Sequence, residues 1–439
     1  MELSQEAIED VLRETAAACG MPGGQLCVSL GGQVVFAQTG FANLATKTPV
    51  TPKTRFQLAS TTKPMIAYLA HQLAAEGLLN LARPVYEYLV GDERADWLKG
   101  SPITTHMLLS HTSGLCGDAF LDLGSGREAE AGLVEEIGRI AALHTPGEDT
   151  SYCNVGFVLC GYLLEAVSGQ HWTRLFRDRI ADQLGSSTLD PWPDERAQNL
   201  AIGHSGHAPV ERSALSVSNA AAGSTLVGTA EDLCGFGRLV LDGLQGRGAL
   251  KSEDAISMTS LVAPLAPNER GLGFGHGIMI FSDAPFVFGH DGLTIGQQSY
   301  LRVFPETDVC LAFLGNGGDM RAASRRIFEA LAPISGSMLE PPRYETVGLA
   351  PLEGRYDRNN ASLFIERNGG DAVLSVINHE GWAIDLYGAI EGPYEIVALP
   401  NGGYVVYKAG SDFPYRLHVT EHAAYFGMRR YNRIEGWSA

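Results

Sequence analysis

The spacing of apolar positions changes along the chain, and each change predicts an element. Residues 4–19 repeat at helical spacing, with Ser4 placed as N-cap and Gly20 as the stop. Leu26-Cys27-Val28-Ser29-Leu30 and Gln33-Val34-Val35-Phe36-Ala37 flank Gly31-Gly32, which predicts a hairpin over 25–40. A Thr- and Pro-rich loop (46–54) leads into a stretch where Met65, Ile66, Leu69, Leu73 and Leu78 recur near helical spacing. This predicts a helix with one buried face. Proline fits only a first helical turn, so Pro64 puts the start close to Ser60.

Helical patterns dominate the next two hundred residues, at 104–109, 127–143, up to 167, and 229–244 with Thr229 as N-cap. Strand patterns resume at 272–281, 286–292, 298–305 and 309–314, followed by a helix at 320–333. Sheet elements at both ends of a helical middle predict an α/β (α+β) domain. Its core would be one antiparallel sheet flanked by helices, with a helical insertion. Gly, Ser and the Pro341-Pro342 pair then suit a linker. From 352 to 431, eight short strand-like runs at roughly ten-residue spacing predict a small eight-stranded antiparallel barrel. The expected organisation is a first domain at 1–335, a linker at 336–350 and a second domain at 351–439.

Composition narrows the partners. A net charge of −18 argues against nucleic acid and anionic membrane surfaces. No apolar run reaches transmembrane length, and the acidic N-terminus lacks the basic and apolar regions of a secretory signal. Seven scattered cysteines without a C-x-x-C suit free thiols in a reducing compartment, so a cytoplasmic location is expected. Neither H-E-x-x-H nor a Cys/His cluster occurs, and neither a metal nor another cofactor is expected.

Three short motifs carry candidate chemistry. Ser60 and Lys63 are three apart and share a helix face at a helix start, where the dipole favours an alkoxide or oxyanion. Lysine held in an apolar setting loses proton affinity and can act as a base. Only Lys63, among six lysines, has a serine three residues before it. In Tyr152-x-Asn154, a phenol near an ammonium can lose its proton below the usual pKa, and an amide can hold the lysine and a substrate carbonyl. In His290-Asp291-Gly292, the glycine would let backbone approach the substrate. Taken singly, each piece has an ordinary reading: a capping serine with a solvated lysine, a half-buried tyrosine with a capping asparagine, an edge-strand histidine. Gly203-His204-Ser205-Gly206 falls short of the G-x-S-x-G nucleophile elbow, because position 207 is histidine.

Together, Ser60-x-x-Lys63, Tyr152-x-Asn154 and His290-x-Gly292 resemble, in order and rough spacing, the class C β-lactamase-like serine hydrolases. That group includes β-lactamases, DD-peptidases, D-aminopeptidases, family VIII esterases and penicillin-binding-protein-type thioesterases. Leu108-Leu109-Ser110-His111-Thr112-Ser113-Gly114-Leu115, Pro146-Gly147 and Gly223-Ser224-Thr225 support the resemblance, which covers about 1–335. The eight-strand tail resembles the lipocalin-like domain that some members carry. The resemblance implies a β-lactamase/transpeptidase-like fold and an acyl-enzyme on Ser60. Lys63 and Tyr152 would share the base role, Asn154 would orient Lys63 and substrate, and His290 would belong to the catalytic set. The N–H groups of Ser60 and Leu293, beside Gly292, would form the oxyanion hole. His-Asp-Gly replaces the Lys-Thr-Gly of class C β-lactamases, which fits the aminopeptidase, esterase and thioesterase branches better.

The expected activity is therefore cleavage of a small ester, amide or peptide bond, of D-amino-acid or peptide type. Release of a peptidyl chain from a carrier protein by a thioesterase or cyclase is the alternative. An inactive binding or sensor protein on this fold would have lost Ser60, Lys63 or Tyr152, and all three are present. The basic run Arg429-Arg430-Tyr431-Asn432-Arg433 closes the tail. It reads either as a solvated edge strand or as a source of arginines, Arg429 or Arg430, that hold a substrate carboxylate at the cleft mouth.

Overall fold

The computed structural model describes residues 3–192, 199–210, 215–265, 271–336, 353–368, 371–379, 389–398, 404–408 and 414–435. A nine-stranded sheet runs in the order Thr48–Pro49, Gln33–Asn43, Gly23–Leu30, Val309–Gly315, Gln297–Phe304, Phe286–Thr294, Met279–Asp283, Gly273–Phe274, Ala263–Pro264. Neighbouring strands pair antiparallel. The N-terminal hairpin joins the later strands through Gly23–Leu30, with Leu26 opposite Phe313. That single pairing is why sheet elements at both ends of the domain enclose a helical middle.

Side chains alternate across the central strands. Leu26, Val28, Leu311 and Phe313 share a core with Ile8 and Leu12 of helix Gln5–Ala18 and Ile327 of helix Met320–Ser335. Cys27, Cys310, Ala312 and Leu314 face the larger core beneath the helical region. The expected caps form: Ser4 accepts from the Ala7 N–H, and Thr229 with Asp232 makes a capping box on helix Ala230–Leu244. The helix expected over 127–143 ends at Ile137, where Gly138 packs against Trp97.

The helix after Ser60, Thr62–Ala75, departs from the expected single buried face. Met65, Ile66, Ala67, Tyr68, Leu69 and Ala70 are all buried, so the helix is apolar all round and runs through the core. Leu78 lies beyond its end and is 45% exposed. Among the described residues, no helix is long and apolar enough to cross a membrane.

The second unit is a closed antiparallel barrel of eight strands, from Gly354–Arg358 to Arg429–Arg433. The pairing of Tyr356 with Arg433 joins first strand to last. Tyr356, Leu363, Leu374, Tyr394, Leu417 and Tyr431 are among the buried side chains that fill it. The expected linker lies outside the described residues from 337 on. The barrel's last hairpin docks on the first domain. The Tyr152 N–H donates to the Met428 carbonyl at 2.9 Å, the Arg430 N–H donates to Ser151 Oγ at 3.2 Å, and Asn432 Nδ2 donates to the Leu143 carbonyl at 3.0 Å.

A chain of histidines braces the helix that follows Ser60. His71 on that helix faces Asp254 through Nδ1 at 3.3 Å and His276 Nδ1 through Nε2 at 2.9 Å. His276 Nε2 in turn lies 2.7 Å from His106 Nδ1. One tautomer satisfies every step: each neutral ring donates from Nδ1 to the next acceptor. Burial pushes His276 down to about 3 and lowers His71 and His106 as well. The folded state therefore binds these protons less readily than the unfolded chain, whose histidines titrate near about 6.5. The stability that depends on neutral rings is complete above that pH and is lost as pH falls toward about 3. Thermal melts from pH 7 to pH 4 should thus fall more steeply for the wild type than for His276→Gln. Parallel curves would contradict this account of the chain.

Candidate active site

Ser60 sits in a short turn, Ala59–Thr61, that runs directly into Thr62–Ala75. Ala59 adopts φ +49°, a left-handed conformation unfavourable for a residue with a Cβ. Hydroxyls hold it there. Thr61 and Thr62 donate to the Leu58 and Ala59 carbonyls at 2.7 Å each, and Ser299 Oγ donates to the Leu58 carbonyl at 2.6 Å. Two glycines clamp the turn. A Cβ on Gly292 would lie 2.3 Å from the Leu58 carbonyl oxygen, and one on Gly223 only 2.0 Å from that of Ala59. Gly223 also has φ +114°. The glycine of the third motif thus admits the turn that carries Ser60, rather than only a substrate.

Lys63 Nζ lies 3.1 Å from Ser60 Oγ and donates to the Ala222 carbonyl at 2.8 Å. The side chain has no exposed surface, and its amine lies 5.0 Å from the centre of the Tyr152 ring and 5.6 Å from that of Phe157. Burial above all, and the Arg429 charge after it, push its pKa down to about 7, with Asp118 opposing. At neutral pH much of the amine is a free base within reach of a hydroxyl proton.

Tyr152 is buried between rings, stacked on His111 at 4.5 Å with Phe274 at 5.9 Å and His290 at 6.1 Å. Asn154 opens helix Asn154–Ser168, but its side chain does not cap it; Nδ2 donates instead to Asp118 Oδ1 at 2.7 Å. Asp118 is buried. Burial alone would raise its carboxyl, yet the Arg429 and Arg358 guanidiniums hold it well below the usual range.

Two buried histidines flank the tyrosine in complementary tautomers. His290 Nδ1 faces the Asp291 carbonyl at 2.6 Å and so carries the proton, leaving Nε2 as an acceptor. His111 Nδ1 accepts from the Cys153 N–H at 2.9 Å, leaving Nε2–H as a donor. Neither Nε2 has a partner among the described residues. Burial pushes His290 down to about 3 and His111 well below its usual value, so both rings are neutral at pH 7. The Asp291 charge is matched by Arg302, whose Nη1 donates at 2.6 Å.

The structure therefore gathers Ser60, Lys63, Tyr152, Asn154, His290 and Gly292 in one place. Leu293 follows on the same strand, with its side chain 37% exposed. Arg429 enters the site and lies 5.0 Å over the Tyr152 ring, but Nε already donates to Asp118 at 2.6 Å. Arg430 points to the other face of its strand and pairs with Asp149 of the first domain at 2.5 Å, a docking contact. Sequence reading missed His111, Asp118, Gly223 and Arg358. His111 and Gly223 lay inside quoted motifs without a role; Asp118 and Arg358 carry no local signal, because their meaning arises only when the domains meet.

Against known proteins, residues 8–333 match the family model described as Beta-lactamase. Penicillin-binding protein 4 of Amycolatopsis lactamdurans is 31% identical over 361 residues, which cover 78% of this chain and 94% of that protein. Among solved structures, SurE superposes with a TM-score of 0.75 at 26% identity, covering 98% of this chain and 99% of that one. A D-stereospecific amidohydrolase from Streptomyces sp. does so with a TM-score of 0.61 at 25% identity, covering 74% of this chain and 99% of that one.

The clamp around Ser60 makes a specific demand. In Gly292→Ala the new methyl must displace the Leu58 carbonyl or the Ser299 hydroxyl, 2.3 and 2.2 Å away, and the Ser60 turn moves with them. Misplacement on that scale should lower kcat by about 100-fold, while circular dichroism still reports a folded protein. A folded variant with wild-type kcat would contradict the clamp.

Proposed function

The chain belongs to the beta-lactamase family, and from that premise we propose that it is a serine hydrolase that forms its acyl-enzyme on Ser60. The observation that carries this reading is the buried Lys63 amine, 3.1 Å from the Ser60 hydroxyl. Lys63 takes the Ser60 proton as Oγ attacks the substrate carbonyl. Tyr152 shares that proton with Lys63 and returns it to the leaving amine or alkoxide. Asn154 orients the pair, and the N–H groups of Ser60 and Leu293 stabilise the oxyanion. His290, as a neutral acceptor, receives an N–H or O–H from the substrate or its leaving group. Water then releases the acyl group from Ser60.

Amides or esters of D-amino acids and short peptides are the substrates this reading favours. Its support is the likeness to the D-stereospecific amidohydrolase, which this chain matches over 99% of that protein's length. The neutral His290 and the Asp291–Arg302 pair leave the third motif without a cation to spare for a substrate anion, which favours uncharged ends.

A fluorophosphonate should label one residue, Ser60, and Ser60→Ala should abolish labelling and lower turnover by several orders of magnitude. Tyr152→Phe should lower kcat by about 100-fold or more with little change in KM. Labelling mapped to Ser110 or Ser205 would overturn the assignment. On a panel of D- and L-amino-acid amides, p-nitrophenyl esters and peptidyl thioesters, D-amides should be hydrolysed faster than L-amides. A cyclic product from the thioesters would assign acyl transfer to an internal amine instead.

A further inference from the structure

Asp118 is the point where the two domains share a charge. It comes from the first domain, has no exposed side-chain surface, and touches two arginines of the barrel. Arg429, which opens the last barrel strand, donates from Nε to Oδ2 at 2.6 Å and from Nη2 to Oδ1 at 3.3 Å. Arg358, which ends the first barrel strand, donates to Oδ2 through Nη1. Asp118 Oδ1 also receives the Asn154 amide at 2.7 Å. One carboxylate thus connects an asparagine of the second motif to the first and last strands of the barrel. A buried carboxylate is tolerated only when paired, so this position requires the barrel.

Glu391 of the barrel also faces both arginines, so the two guanidiniums meet two carboxylates, Asp118 and Glu391, with Tyr431 between them. Within this cluster, Arg429 lies 5.0 Å over the Tyr152 ring and Asp118 holds the Asn154 amide. The groups that face Lys63 from other elements are Tyr152, Cys153, His111, His290, Asp118 and Arg429. Both histidines are neutral, and burial pushes the Cys153 thiol up to about 12. Of the charged groups in the cluster, Arg429 and Asp118 act on Lys63, Arg429 weakening its hold on the proton and Asp118 opposing.

We propose that Arg429, Arg358 and Asp118 form a bridge through which the barrel completes the catalytic centre, Asp118 holding Asn154 in place and the Arg429 guanidinium over the Tyr152 ring keeping the Lys63–Tyr152 pair ready to take the Ser60 proton. The arginines act as positioning residues, and the proposal rests on Ser60 and Lys63 having the roles assigned above. It differs from the expectation that Arg429 binds a substrate carboxylate, since its partner is a carboxylate of the protein.

The test uses the full-length protein and follows the rate of Ser60 acylation by a fluorophosphonate from pH 5 to pH 10. Arg429→Gln removes a positive charge near the base, so the acid limb should move to higher pH by about one unit. Asp118→Asn removes the opposing charge, so its limb should move to lower pH. Arg429→Lys keeps the charge and loses the fork, so its rate should fall with the limb unmoved. A merely structural bridge would change rates in all three variants and leave the limbs where they are. Wild-type limbs, or shifts of the same sign in Arg429→Gln and Asp118→Asn, would overturn the proposal. Should Asp118→Asn fail to fold, the comparison of Gln with Lys at position 429 decides. Should Arg429→Gln fail to fold, Asp118→Asn must show the downward shift while Arg429→Lys leaves the limb unmoved. Persistent labelling of Ser60→Ala would instead reject the assignment of Ser60, so the two failures are distinguishable.

Discussion

A lysine with no exposed surface holds its proton weakly, and the architecture around Lys63 follows from putting that amine beside Ser60. A helix carrying it through the core must be apolar all round, as Thr62–Ala75 is. The serine must meet the amine one turn earlier, where the chain enters the helix, and this confines Ser60 to a turn with Ala59 in a left-handed conformation. Three hydroxyls and two glycines hold that turn. The neighbouring histidines are buried enough to stay neutral, so they add no charge that would compete for the proton.

Much of this was legible in the sequence because it depends on local rules. A proline four residues after a serine marks a first helical turn, and Lys63 then shares the serine's face. Apolar runs on either side of Gly31-Gly32 and at 309–314 report strands, and eight short strands with regular spacing report the barrel. What escaped depends on contacts distant in sequence. The helix after Ser60 looked one-sided because Ala67, Ala70 and Tyr68 are weak apolar signals alone, and their burial comes from elements far along the chain. The part Gly292 plays in making room for the Ser60 turn escaped because nothing local shows that the Leu58 carbonyl fills the space of its missing side chain. Asp118 and Arg358 are separated by 240 positions and meet only when the barrel docks.

Domain docking is thus part of the site's construction rather than an addition to it. The backbone of Tyr152 is bonded to Met428, its ring lies under Arg429, and the neighbouring Ser151 receives the Arg430 N–H. A filled barrel interior leaves its edge, rather than its lumen, as the surface that serves the site. The same edge buries arginines that would otherwise be solvated, and each finds a carboxylate of the first domain, Asp118 or Asp149.

Burial leaves much of the Lys63 amine unprotonated near neutral pH. With six lysines in the chain, carbon-13 labelling at lysine Cε gives a countable set of resonances, and Lys63→Ala identifies the one that matters. This resonance should titrate with a midpoint of about 7. A midpoint near 10.5, the ordinary value for a lysine, would contradict it.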